Sequence, residues 1–241
     1  MSIFRRQYSA PTSLAESPMT SPSLRQLSLL EARVLGVLVE KQRAVPDTYP
    51  LTLNALVAGC NQKSSRDPVL NASEAEVQLA IEELRSLSLV VESSGGRAMR
   101  YAHNFGRVLQ IPSESVALLA VLMLRGPQTA GELRINCDRL QRFVDISAVE
   151  GFLNEMAERS AGALVIELPR QPGARENRWM HLLCGTPTPE SIASGASRAQ
   201  SRDDITSGEL AALKTNVARL EDELTTLKAI VAKLCAELGV S

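Results

Sequence analysis

The chain is short of the residues that carry out most chemistry. Only 3% of its 241 residues are aromatic. Modules that bind single strands need aromatic platforms for successive bases, so the composition counts against RRM- and OB-type modules. There are two histidines and four cysteines. Cys60, Cys137, Cys184 and Cys235 are scattered, with no Cys-x-x-Cys pair, so no zinc site is expected. They read as buried or incidental thiols of a cytoplasmic protein in a reducing compartment. Neither sign of charge is in excess: the formal net charge is −1. Any phosphate contact must therefore come from local patches. The longest apolar run, Val116 to Leu124, is too short to cross a bilayer. No secretory apolar segment follows Met1. There is no nucleophile elbow and no phosphate-cradling glycine loop. An enzyme, a cofactor and a bound metal are all unexpected.

What is present is ordinary globular material. Hydrophobic residues make up 44% and charged residues 22%, enough for two small domains with their own cores. Residues 1–26 are rich in Ser, Pro and Thr and read as a disordered tail. Its opening, Ile3-Phe4-Arg5-Arg6-Gln7-Tyr8-Ser9, has the make-up of a basic transit segment, but the tail reading is preferred, and Met19 offers a second start.

Beyond the tail the chain says the same thing twice. A first helix is expected from Leu29 to Lys41, with Leu30, Val34, Leu35, Leu38 and Val39 on one face. Pro46 and Pro50 end it, and a second helix covers Leu51 to Cys60. Ser73 and Glu76 form a capping box that opens a third helix, lined by Val77, Ala80, Ile81, Leu84 and Leu87. A hairpin follows: Leu89 to Val91, a turn at Ser94-Gly95-Gly96-Arg97, and a return over Ala98 to His103. The second copy begins with a helix from Ser113 to Arg125. Capping boxes at Thr129/Glu132 and Ser147/Glu150 open its next two helices. Its hairpin runs Leu164 to Leu168 and Arg178 to Cys184, with Pro172-Gly173 set for a type II turn at the tip. Both copies close alike, Arg100-Tyr101-Ala102-His103 and Arg178-Trp179-Met180-His181. His103 and His181 thus read as one duplicated structural position. Three helices and a hairpin "wing" make a winged-helix unit. The expected fold is mainly α with small β-hairpins (α+β): winged-helix domains at residues 27–106 and 107–184.

Residues 185–206 form a linker of Gly, Ser, Thr and Pro. Then Leu210, Leu213, Val217, Leu220, Leu224, Leu227, Val231, Leu234 and Leu238 alternate spacings of three and four. That heptad makes residues 207–240 a coiled-coil helix and the chain a homodimer, preferably parallel, with Glu209 facing Lys214 and Glu223 facing Lys228.

The string Pro46-Asp47-Thr48-Tyr49-Pro50-Leu51-Thr52-Leu53-Asn54-Ala55-Leu56-Val57 is distinctive, as is Cys60-Asn61-Gln62-Lys63-Ser64. With Leu124-Arg125-Gly126-Pro127-Gln128-Thr129, Gly131-Glu132-Leu133-Arg134 and Arg178-Trp179-Met180-His181-Leu182, it closely resembles the YceH-like family of bacterial proteins. The resemblance covers about Leu27 to Gly185. It implies two winged-helix domains and often a C-terminal coiled coil, and no established function or site residues.

Two functions stay open. One is a dimeric DNA-associated protein, regulatory in character, that grips duplex DNA through wings and loops. Its candidate phosphate contacts are Lys63, Arg66, Arg97, Arg100, Arg175 and Arg178. The other is a protein-interaction scaffold resembling the tandem winged-helix partners of chromosome-segregation complexes. The third helices favour the scaffold, and the wing arginines favour DNA. Glu74, Glu76, Glu82 and Glu83 on one, and Glu150, Glu155 and Glu158 on the other, would repel phosphates. Fold alone does not decide, because one fold hosts many functions.

Overall fold

The computed structural model describes residues 24–94, 98–171 and 173–186, together with Thr225 and Lys228, which are both helical. Helix α1 (Leu29–Ala44) starts at Ser28 in a capping box: the Ser28 hydroxyl accepts from the Glu31 N–H at 3.2 Å, and the Glu31 carboxylate accepts from the Ser28 N–H at 2.7 Å. It runs one turn beyond the expected Lys41 and stops before Pro46, which opens a short 3-10 turn (Pro46–Thr48). Strand β1 (Leu51–Thr52) comes next, so the second helix, α2 (Leu53–Cys60), starts later than expected and takes Thr52 as its cap. Helix α3 (Glu74–Ser86) opens on the predicted Ser73/Glu76 box. Strands β2 (Val90–Ser93) and β3 (Arg100–His103) form the first hairpin.

A short helix not foreseen in the sequence, α4 (Phe105–Leu109), joins the halves and ends on Gln110 in the left-handed region, φ 54°. The second half comprises α5 (Ser113–Arg125), α6 (Ala130–Cys137), α7 (Ile146–Ala157), β4 (Val165–Glu167) and β5 (Trp179–His181). The Thr129/Glu132 box opens α6 as expected. The Ser147/Glu150 box does not form. Asp145 caps α7 instead, accepting from the Ala148 N–H at 2.8 Å, which leaves Ser147 already inside the first turn. Asp and Ser are comparable caps, so the earlier residue, followed directly by the apolar Ile146, takes the position.

The two halves correspond at several matched positions. β3 lies between β1 and β2, with Leu51 opposite Tyr101. In the second half Gln128 makes the matching bridge to Trp179. His103 faces Val90 and His181 faces Val165. Thr52 and Thr129 cap the second helices, and both helices end in a buried cysteine, Cys60 and Cys137. The architecture is α+β, with seven α-helices and two small antiparallel sheets among the described residues between Leu24 and Thr186.

The first helix of each half packs against the other, and one continuous cluster of buried side chains spans both. Residues 31–39 of α1 and 115–124 of α5 are buried on every side. At their crossing a Cβ on Gly36 would lie 3.0 Å from Leu124 Cγ and 3.4 Å from the Ala120 carbonyl, so glycine lets the backbones approach. The described residues between Leu24 and Thr186 therefore form one unit.

Leu27 N–H donates to the Leu183 carbonyl at 2.7 Å, which draws the start of the chain onto the exit of the second hairpin. Arg25 pairs with Glu31 at 2.8 Å and Glu83 at 2.9 Å, and Leu24 packs on the core. Leu24 to Gln26 thus belong to the folded body; residues 1–23 lie outside the described residues. Among the described residues no helix is long and apolar enough to cross a membrane.

Candidate docking and nucleic-acid surfaces

The loop between α2 and α3 carries two of the predicted phosphate contacts, Lys63 and Arg66. They have opposite fates. Lys63 is exposed. Arg66 is buried, and this corrects its assignment as a surface contact. Its guanidinium reaches back to α1, donating to both Glu40 carboxylate oxygens at 3.1 and 2.6 Å, and its Nε donates to the Gly59 carbonyl at 3.1 Å. Arg33 lies alongside, fully buried, donating to the Cys60 and Pro68 carbonyls at 3.2 and 2.6 Å. These arginines satisfy carbonyls that a polar loop would otherwise bury unpaired. The same loop is tied to the second half: Asp67 N–H donates to the Leu124 carbonyl at 2.8 Å, and Arg125 to Ser65 Oγ at 2.8 Å.

The other candidates are dispersed. Arg100 is exposed on β3, with its guanidinium donating to the Pro50 carbonyl at 2.8 Å. Arg175 is exposed at the second hairpin tip. Arg178 lies 3.8 Å from the Glu132 carboxylate. Arg97 lies outside the described residues, as do the proposed dimer contacts Leu210, Leu213, Val217, Leu220, Leu224, Leu227, Val231, Leu234 and Leu238.

The third helices are acidic where they meet solvent. On α3, Glu74 and Glu82 are exposed around Leu79, itself 61% exposed, while Glu76 serves the cap and Glu83 holds Arg25. On α7, Glu150 and Glu155 are exposed, as is Glu158 at its C-cap. A groove of about 260 Å³ lies between α7 and the second hairpin. Glu150, Glu167 and Glu176 line it against the single cation Arg170, with Ile146 and Trp179. Nearby in sequence, Val144 is 88% exposed and Ile135 is 72% exposed. An acidic groove with unburied apolar side chains suits a basic chain with apolar anchors, and repels a phosphate backbone.

The histidines and buried thiols belong to the framework. Burial holds His181 down at about 4; burial and the nearby Arg43 do the same to His103. Burial pushes the Cys60 and Cys137 thiols up to about 12, which removes the thiolate that reactivity requires. Their equivalence in the two halves was not evident from their spacing alone. No three of His, Cys, Asp and Glu cluster in a metal-ligating arrangement among the described residues.

Residues 27–174 match the family described as "Protein of unknown function, DUF480". A UPF0502 protein of Burkholderia orbicola is 57% identical over 221 residues, 92% of this chain and 93% of its own. A UPF0502 protein of Dechloromonas aromatica is 56% identical over 89% of this chain and 99% of its own. One from Leptothrix cholodnii is 55% identical over 90% and 97%. The family match spans both halves and the relatives match nearly end to end, so the chain belongs to the DUF480, or UPF0502, family of bacterial proteins.

Proposed function

We propose that the chain is a non-enzymatic protein-interaction scaffold of two tandem winged-helix domains, resembling in architecture the tandem winged-helix partners of chromosome-segregation complexes. The order β1-β3-β2, with a short first strand added to the hairpin, supports the winged-helix reading. The observation that carries the function is the groove beside α7, where three carboxylates face one arginine next to an exposed isoleucine. Its partner is a basic protein segment with apolar anchors. Residues 207–240 supply a coiled coil that makes the scaffold a cytoplasmic dimer, tethered by the linker at 185–206. Ending the chain after Thr206 should then give a monomer by sedimentation.

A DNA-associated role is the second reading, favoured by the exposure of Lys63 and Arg175. One pair of experiments separates them. Full-length protein is used to capture partners with and without nuclease, beside an E150K/E167K variant. The scaffold reading expects a nuclease-resistant partner that the variant loses. Labelled duplex DNA is titrated in parallel at several salt concentrations. Tight duplex binding with a log–log salt slope of roughly −4, as about four phosphate contacts would give, overturns the scaffold reading.

A further inference from the structure

A second pocket, of about 250 Å³, opens where the last turn of α1, the β3–α4 junction and the start of α5 meet. Its lining includes Arg43, His103, Asn104, Arg107 and Ser113, and contains, among the described residues, two cations and no carboxylate. We propose that this pocket binds a phosphate group, held between the guanidinium groups of Arg43 and Arg107.

Neither cation of the pocket is committed to a carboxylate among the described residues. Arg25, Arg66, Arg85 and Arg178 each have a carboxylate partner, whereas Arg43 and Arg107 have none within ion-pair distance among the described residues. Two arginines from different elements converging on one concavity supply the planar donor forks that match phosphate oxygens. Asn104 adds one side-chain N–H, its other being donated to the Ser88 carbonyl at 3.2 Å. Glu114 sits beside the pocket, with its carboxylate accepting from Ser113 Oγ at 3.0 Å, and limits the net positive charge there without cancelling it. His103 faces the same space. Its Nε2 meets Gln42 Oε1 at 2.7 Å, while Nδ1 is buried without a partner. The size sets the class of ligand. Drug-sized ligands occupy about 300–1,000 Å³, so this pocket takes a phosphate and the first atoms attached to it rather than a whole nucleotide.

The site does not depend on the scaffold reading, since it is distant in the chain from the α7 groove and opposite to it in charge. The test uses the full-length protein with inorganic phosphate as probe and chloride at matched ionic strength as control. Melting temperature and calorimetric titration are the readouts. Phosphate should raise the melting temperature above that in chloride. R43Q and R107Q should each weaken phosphate binding at least tenfold, with melting in chloride unchanged. If R43Q impairs folding, R107Q, on the exposed side of α4, carries the test alone. Duplex DNA titrated against the same variants distinguishes the source of the phosphate. A salt slope reduced by about 1 in the variants places a DNA backbone phosphate in the pocket. Weakened binding of free phosphate alone places a small phosphorylated ligand there. Equal melting in phosphate and chloride, or unchanged phosphate affinity in R107Q, overturns the proposal.

Discussion

Arg66 and Glu40 meet inside the protein, Nη2 to Oε2 at 2.6 Å, with the arginine side chain wholly buried. Burial pushes the Glu40 carboxyl up, but the Arg66 guanidinium and Lys41 outweigh it and hold the group below the usual carboxylate range. Removing one partner strands a buried charge. Glu40→Ala should cost about 3–5 kcal/mol, read as a fall in the denaturant midpoint. Because the folded-state carboxyl titrates low, the pair's contribution is complete above the ordinary carboxylate pKa. It is lost as pH falls through the depressed folded value.

The buried His181 and the half-buried His103 act in a higher pH window. Both are held neutral, at about 4 in the folded state against 6.5 ordinarily. Between those values the unfolded chain binds protons that the folded chain does not. Stability should be full above pH 6.5 and decline as pH falls toward 4. For His181 the loss is on the order of 3 kcal/mol. Urea titrations at a series of pH values should show this slope, and His181→Leu should flatten it.

Helix α2 rests on α1 through Gly59. A Cβ there would lie 2.6 Å from Val37 Cγ1, and the branched valine has no flexible end to move aside. Gly59→Ala gains helix propensity but overpacks the contact, so a net loss of about 1–3 kcal/mol is expected. Thermal unfolding decides: a melting temperature at or above that of the parent would show that α2 shifts at little cost.

The start of the folded body can be located by trimming. A chain beginning at Leu24 keeps the Arg25 bridges to Glu31 and Glu83 and the Leu24 packing; one beginning at Leu27 loses them. The difference should be about 1–3 kcal/mol, mostly from the apolar contact, since the partly exposed ion pairs add little. Equal melting temperatures for the two chains would place the boundary at Leu27.

Local signals were legible in the sequence and long-range ones were not. The Ser73 and Thr129 boxes could be read because cap and partner lie within one turn. The Asp145 cap was missed because Ser147 satisfied the same short pattern two residues later. Arg66 looked like a loop arginine among polar neighbours, and only the fold brings Glu40 from α1 beneath it. Helix α1 reads as one-sided from its leucines and valines. Its other side, including Arg33, is covered by α5 and the α2–α3 loop, which local periodicity cannot foresee. The acidic third helices were visible as composition, whereas the groove beside α7 needed the second hairpin folded against it.

The crossing of α1 on α5 makes each half the solvent shield of the other. Severed between Gln110 and Ser113, each half would present a bare apolar helix to water. What the chain now achieves at the effective concentration of a short tether would become an ordinary bimolecular encounter, sensitive to dilution. The halves would then reunite, pair with their own kind, or precipitate. The covalent link through α4 therefore fixes stoichiometry: one first half for every second half, at any abundance of the protein in the cell.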